Sequence, residues 1–108
     1  IRDNGTKVEI GKDCMFSAQT IVRTSDAHSI VNQDGYRINQ GKNVKIGDHV
    51  WVGYGANILK GTKIDNNCIV GTQSIVAGLT LPESSIAAGN PAKIVKKDIN
   101  WLRKRINL

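Results

Sequence analysis

One short segment, Ser25-Asp26-Ala27-His28-Ser29, holds the side chain best suited to move a proton at neutral pH. The ordinary pKa of imidazole lies nearest neutrality, so His28 fits the work of a general base toward a hydroxyl. On its own, a loop histidine is more often a solvated side chain. Asp26, two residues earlier, can hold the imidazole tautomer through a hydrogen bond. A backbone carbonyl does that equally well, and a turn aspartate needs no such role.

The second histidine, His49, sits in a regular stretch of the chain and is predicted to face outward. Two histidines cannot form a three-histidine zinc site, and no Cys-x-x-Cys or His-x-x-x-His spacing occurs. No catalytic metal is predicted. No serine or cysteine has the neighbouring base that a covalent acyl-enzyme requires. The chain carries neither a Walker loop nor a dinucleotide glycine fingerprint.

The elements that must position His28 are set by a period of six. Ile46, Val52, Ile58, Ile64, Val70 and Val76 recur at every sixth position from Val44 to Gly78, and a mostly small residue follows four places after each. Neither a helix nor a single strand has that period. Three flat sides of six residues do, closing a triangular coil of about 18 residues that stacks on its neighbours through parallel-strand hydrogen bonds. Ile10, Phe16 and Val22 extend the pattern toward the N-terminus, and Pro82 and Ala88 occupy its anchor positions after Val76. Glycine beside an anchor, as at Gly47, Gly53 and Gly71, is read as permitting backbone geometry that other residues resist.

Between Val22 and Ile46 the pattern fails but returns in phase 24 residues later. His28, Asp34 and Gln40 would make poor core anchors, so residues 24–43 are predicted to leave the prism as a loop with a turn at Asp34-Gly35. A long loop in a repetitive rod is a place to look for function. Cys14 and Cys68 lie 54 residues apart on the same inward face. They are at least two coils from each other, beyond disulfide reach. Free thiols fit a reducing compartment, the cytoplasm.

The Ile-Gly-x-x-small-x repeats, the string IGDHVWVGYGANILKGTKI and the closing AGNPAKIVKK resemble the hexapeptide-repeat acyltransferases. The nearest group is the maltose, galactoside and polysaccharide O-acetyltransferases, and the match runs from about Val8 to Lys97. The resemblance implies an all-β, left-handed parallel β-helix and acetyl-CoA-dependent transfer to a sugar hydroxyl of a surface polysaccharide or its precursor. It implies a homotrimer with sites between prisms, and makes His28 the general base. By the same resemblance Trp51 lies beside the transfer site, and Tyr54, Thr72, Ala77 and Gly78 line the coenzyme groove. Lys93 and Lys96 fall near the nucleotide end. The family often has Thr-Lys where this chain has Ala77-Gly78, which puts one phosphate contact in doubt. N-acetylation of an amino-sugar nucleotide and a non-catalytic β-helical scaffold are the rival readings.

At 108 residues the chain is one β-helical domain over 1–97, and its net charge of +6 suits an anionic ligand or plain solubility. No apolar run is long enough to span a membrane, and nothing points to nucleic acid. The sequence opens inside the pattern without a methionine, as a piece of a longer chain would. Asp98 as N-cap, with Ile99, Leu102 and Ile106 at helical spacing, predicts a short helix over 98–108 capping the open end of the prism.

Overall fold

The computed structural model describes residues 4–107. The start of the irregular segment expected from Ile1 and the last residue of the expected helix, Leu108, lie outside them. Among the described residues, twelve short strands form the prism. They are β1 (Val8–Ile10), β2 (Met15–Phe16), β3 (Ile21–Val22), β4 (Val44–Ile46), β5 (Trp51–Val52) and β6 (Asn57–Ile58). Then follow β7 (Lys63–Ile64), β8 (Ile69–Val70), β9 (Ile75–Val76), β10 (Thr80–Leu81), β11 (Ile86–Gly89) and β12 (Ala92–Lys96).

Three walls result. The first stacks β1, β4, β7 and β10; the second stacks β2, β5, β8 and β11, with β12 added at the edge; the third stacks β3, β6 and β9. Every pairing in the coils is parallel, and β12 alone turns back antiparallel on β11. Ile46 pairs Ile64, a step of 18 residues. Ile10 pairs Ile46 at a step of 36, so residues inserted between them leave the stack and the next coil resumes in register. Val22 opposite Ile58 shows the same doubled step.

The predicted inward line is the core. Ile46, Val52, Ile58, Ile64, Val70 and Val76 are all buried, as are Val50, Ala56, Thr62, Cys68 and Ser74 behind them. Each large anchor removed from water contributes roughly 1.5–3 kcal/mol of transfer free energy. Ile10 lines up with Ile46 yet is 49% exposed, because no coil among the described residues lies beneath it. Cys14 and Cys68 are free, and burial pushes the Cys68 thiol above its ordinary range.

Three expectations need correction. After Val76 one side shortens to five residues, so the anchors are Leu81, opposite Ile64, and Ala87, opposite Val70. Pro82 and Ala88 do not hold those positions; Thr80 is exposed, Leu79 packs on the core in the place expected for it, and Ser85 is the buried small residue before β11. The tightened corner is held by Thr62, whose Oγ1 accepts from Gly78 N at 3.1 Å and donates to Val76 O at 3.2 Å.

The glycines beside the anchors act through space. Gly47, Gly53 and Gly71 do not have positive φ. A Cβ on Gly53 would stand 2.7 Å from Thr72 N and 2.9 Å from Val70 O of the coil above. Left-handed backbone is instead taken at the corners, where Asp13, His49, Asn67 and Ser84 stack with φ between 55° and 60°.

Residues 98–107 form no helix. They run as a strap along that same corner: Ile99 N donates to Ser84 O, Trp101 Nε1 donates to His49 O at 2.8 Å, and Arg103 meets Asp13 at 2.7 Å. Two residues of the helical-looking stripe are left in water, Leu102 and Ile106 at 60% and 67% exposed, while Ile99 is half-buried and Trp101 is 4% exposed. One buried indole with a hydrogen-bond partner decides the path of a segment too short to be helical alone.

Candidate active site

The loop leaves the prism at the corner between the third and first walls. Its neck is closed by Lys42 N donating to Thr24 O at 3.0 Å. Beyond the neck a small hairpin turns at Asp34-Gly35, as predicted, with Gly35 at φ 84° and Asn32 Oδ1 accepting from both Asp34 N and Tyr36 N. A single antiparallel bridge joins Val31 to Arg37.

At the base of the loop the backbone bends sharply. Ala27 has φ of 71°, a left-handed value uncommon for a residue with a Cβ, and its N donates to Oγ of the buried Ser25 at 2.9 Å. Such bends cost free energy and persist only where neighbours hold them. This bend presents His28, which is exposed. Its carbonyl accepts from Asn39 Nδ2 at 2.8 Å, and no hydrogen bond among the described residues engages its imidazole.

Asp26 points elsewhere. Its Oδ2 accepts from Lys60 Nζ at 2.6 Å and from Asn39 Nδ2 at 2.9 Å. The Lys60 hydrogen bond, then that from Asn39, hold its carboxyl below the ordinary value of 3.8. Lys60 also donates to Gln40 O, so one ammonium ties both sides of the loop to the wall. Neither Lys60 nor Asn39 was singled out by sequence. Their bonds reach 34 and 13 residues along the chain, and no local motif encodes them.

Beside this pair runs a groove of about 400 Å³ between Asp26, Lys42, Leu59, Lys60, Gly61, Ala77 and Gly78. Small residues floor it and two ammonium groups flank it, which fits a thin ligand arm with an anionic end. Lys60 comes from the coil beneath Gly78 and brings a positive charge, paired with Asp26, to this corner. A wider depression of about 550 Å³ over Lys45, Lys63 and Pro82 contains none of the candidate residues.

The remaining candidates are dispersed. Tyr54 and Thr72 stand exposed at the corner between the second and third walls, across the third wall from Ala77 and Gly78. Lys93 and Lys96 are exposed on β12. Trp51 lies on the second wall with its ring 6.0 Å from that of Trp101, so the strap covers part of it. His49 is engaged structurally: its Nδ1 meets Asn67 Oδ1 at 3.0 Å, and Trp101 stacks on its ring at 4.0 Å. Among the described residues, no group of three or more His, Cys, Asp or Glu is arranged to hold a metal.

Residues 43–78 match the bacterial transferase hexapeptide family (six repeats). The chain is 46% identical over 99 residues to a polysialic acid O-acetyltransferase of Neisseria meningitidis, covering 91% of this chain and 46% of that one. It is 42% identical over 97 residues to the polysialic acid O-acetyltransferase of Escherichia coli O1:K1 / APEC, covering 89% and 31%. The crystal structure of the polysialic acid O-acetyltransferase OatWY superposes with a TM-score of 0.90 at 42% identity, over 97% of this chain and 50% of that one. The chain belongs to the hexapeptide-repeat transferases. Its solenoid is the left-handed β-helix of that family. This hexapeptide-repeat chain spans half or less of the length of each of these relatives.

Proposed function

We propose that this chain forms the catalytic β-helix of an O-acetyltransferase that moves an acetyl group from acetyl-CoA to a sugar hydroxyl of a surface polysaccharide. The observation that carries the reading is the setting of His28. The loop that presents it is fixed by Ser25, Asn39 and Lys60, while its imidazole stays available two residues from the groove-lining Asp26. The names of the similar proteins support the same reaction class.

In this mechanism His28 takes the proton of the acceptor hydroxyl as its oxygen attacks the thioester carbonyl. The carbon–sulfur bond breaks, and the coenzyme thiolate leaves, recovering the proton from the imidazolium. Asp26 acts at a distance by fixing the loop, since its carboxylate is occupied by Lys60 and Asn39. Acetyl-CoA is held by the Ala77–Gly78 groove with Lys42 and Lys60, and by Tyr54, Thr72, Lys93 and Lys96, with Trp51 near the transfer point.

Those positions lie on separate walls and corners of one prism, which supports a homotrimer whose sites join two copies. The loop offers a surface for this: Ile30, Val31, Tyr36 and Ile38 are each more than half exposed. The test is acetyl transfer from acetyl-CoA to polysialic acid and to neutral oligosaccharides, read by mass spectrometry. Acetylated product with any of them supports the reading. Binding of acetyl-CoA without transfer to any acceptor would contradict it.

A further inference from the structure

Asn39 is the one loop residue whose side-chain amide uses its whole hydrogen-bonding capacity. It is 7% exposed. Its Oδ1 accepts from Ile30 N at 2.8 Å and from Arg37 Nε at 3.1 Å. Its Nδ2 donates to His28 O at 2.8 Å and to Asp26 Oδ2 at 2.9 Å. An amide carries two acceptor sites and two donors, and all four are spent here. The flipped amide would aim NH₂ at two donors, so the orientation is fixed by its partners.

Three of the four bonds converge on the residues around the imidazole, Asp26 before it, His28 itself and Ile30 after it, and the fourth reaches Arg37 across the hairpin. We infer that Asn39 is a positioning residue for His28, setting the direction in which the imidazole leaves the loop. This rests on the reading of His28 as general base. Aspartate has nearly the same shape but no donor, and would face the Asp26 carboxylate and the His28 carbonyl with like partial charge. Alanine takes the Asn39 partner from the His28 carbonyl and the Ile30 N–H, and leaves Asp26 held by Lys60. The left-handed backbone at Ala27 keeps its bond to Ser25 Oγ but loses the Asn39 bonds to the residues on either side of it.

The test uses the full chain with acetyl-CoA and the acceptor on which it is active, comparing wild type, Asn39→Asp, Asn39→Ala, His28→Ala and His28→Ala/Asn39→Ala. Asn39→Asp and Asn39→Ala lower kcat by about 10²-fold, the usual penalty for misplacing a reacting group by an ångström. The dissociation constant for acetyl-CoA stays within about threefold. In the His28→Ala background, Asn39→Ala has no further effect, because there is no imidazole left to aim.

A second readout does not depend on turnover. The chain has two histidines, so ¹H–¹³C spectra of the imidazoles show two sets of signals. Asn39→Asp moves those of His28 and leaves those of His49, stacked in the corner, in place. Unchanged kcat in Asn39→Asp, an equal loss with and without His28, or an unmoved His28 signal overturns the role of Asn39. Wild-type turnover in His28→Ala overturns the reading beneath it, and the positioning role with it.

Discussion

Lys60 Nζ lies 2.6 Å from Asp26 Oδ2, joining the loop that carries His28 to the coil that floors the groove. The pair is partly exposed, at 23% and 39% of the two side chains, so solvent screens it and its direct contribution to stability is small. Its consequence is geometric: one contact couples the loop's position to the groove wall.

That coupling has a titration signature. Asp26 has a folded-state pKa below 3.8 because Lys60 and Asn39 hydrogen-bond its charged form. A depressed carboxyl stabilises the folded loop fully above its unfolded pKa, and the effect fades as pH falls through the folded value. Carboxyl NMR titration of Asp26 should show a midpoint below 3.8. In Lys60→Met that midpoint rises toward the ordinary value, and an unchanged midpoint would show that the contact does not persist in solution.

The strap makes a second prediction. Trp101 is nearly fully buried, stacks on His49 at an interplanar angle of 10° and lies beneath the Arg103 guanidinium at 5.1 Å. Trp101→Ala should cost about 3 kcal/mol, the lower end for deleting a buried tryptophan, because the strap can partly collapse. Denaturant unfolding measures the loss, and Trp51 fluorescence shifts to the red as its cover is removed. An unshifted midpoint would mean that the strap does not dock.

Close stacking of the coils predicts the effect of a single methyl group. Gly53→Ala places Cβ against backbone atoms of the next coil at 2.7–3.0 Å, where no flexible side chain can give way. A loss of about 1–3 kcal/mol follows, as for other overpacked interiors. Gly35→Ala meets nothing within 4 Å and is strained only through its φ of 84°. Its smaller loss, measured in the same denaturant series, separates crowding from conformation.

Much of the fold was legible because six-residue spacing from Ile46 to Val76 admits few solutions. The loop could be read from the return of phase at Ile46, and the exposed place of His28 from its position within it. The slip to Leu81 was harder to see, since one residue fewer moves every later anchor. A large leucine beside a proline was its only local sign. The strap was misread because Ile99, Leu102 and Ile106 have helical spacing, whereas Trp101 finds its partner 52 residues away at His49. Asn39 and Lys60 look like ordinary polar residues until the loop folds back on the wall.

The central claim is that His28 removes the acceptor proton, and the pH dependence of His28→Ala turnover tests it most directly. In the wild type, kcat/KM for acetyl transfer should show an acid limb, falling as the base takes up a proton. His28→Ala should lower turnover by about 10²–10⁴-fold and abolish that limb, with acetyl-CoA affinity changed little. Near-normal turnover in His28→Ala, or a mutant that keeps the same limb, would contradict the account.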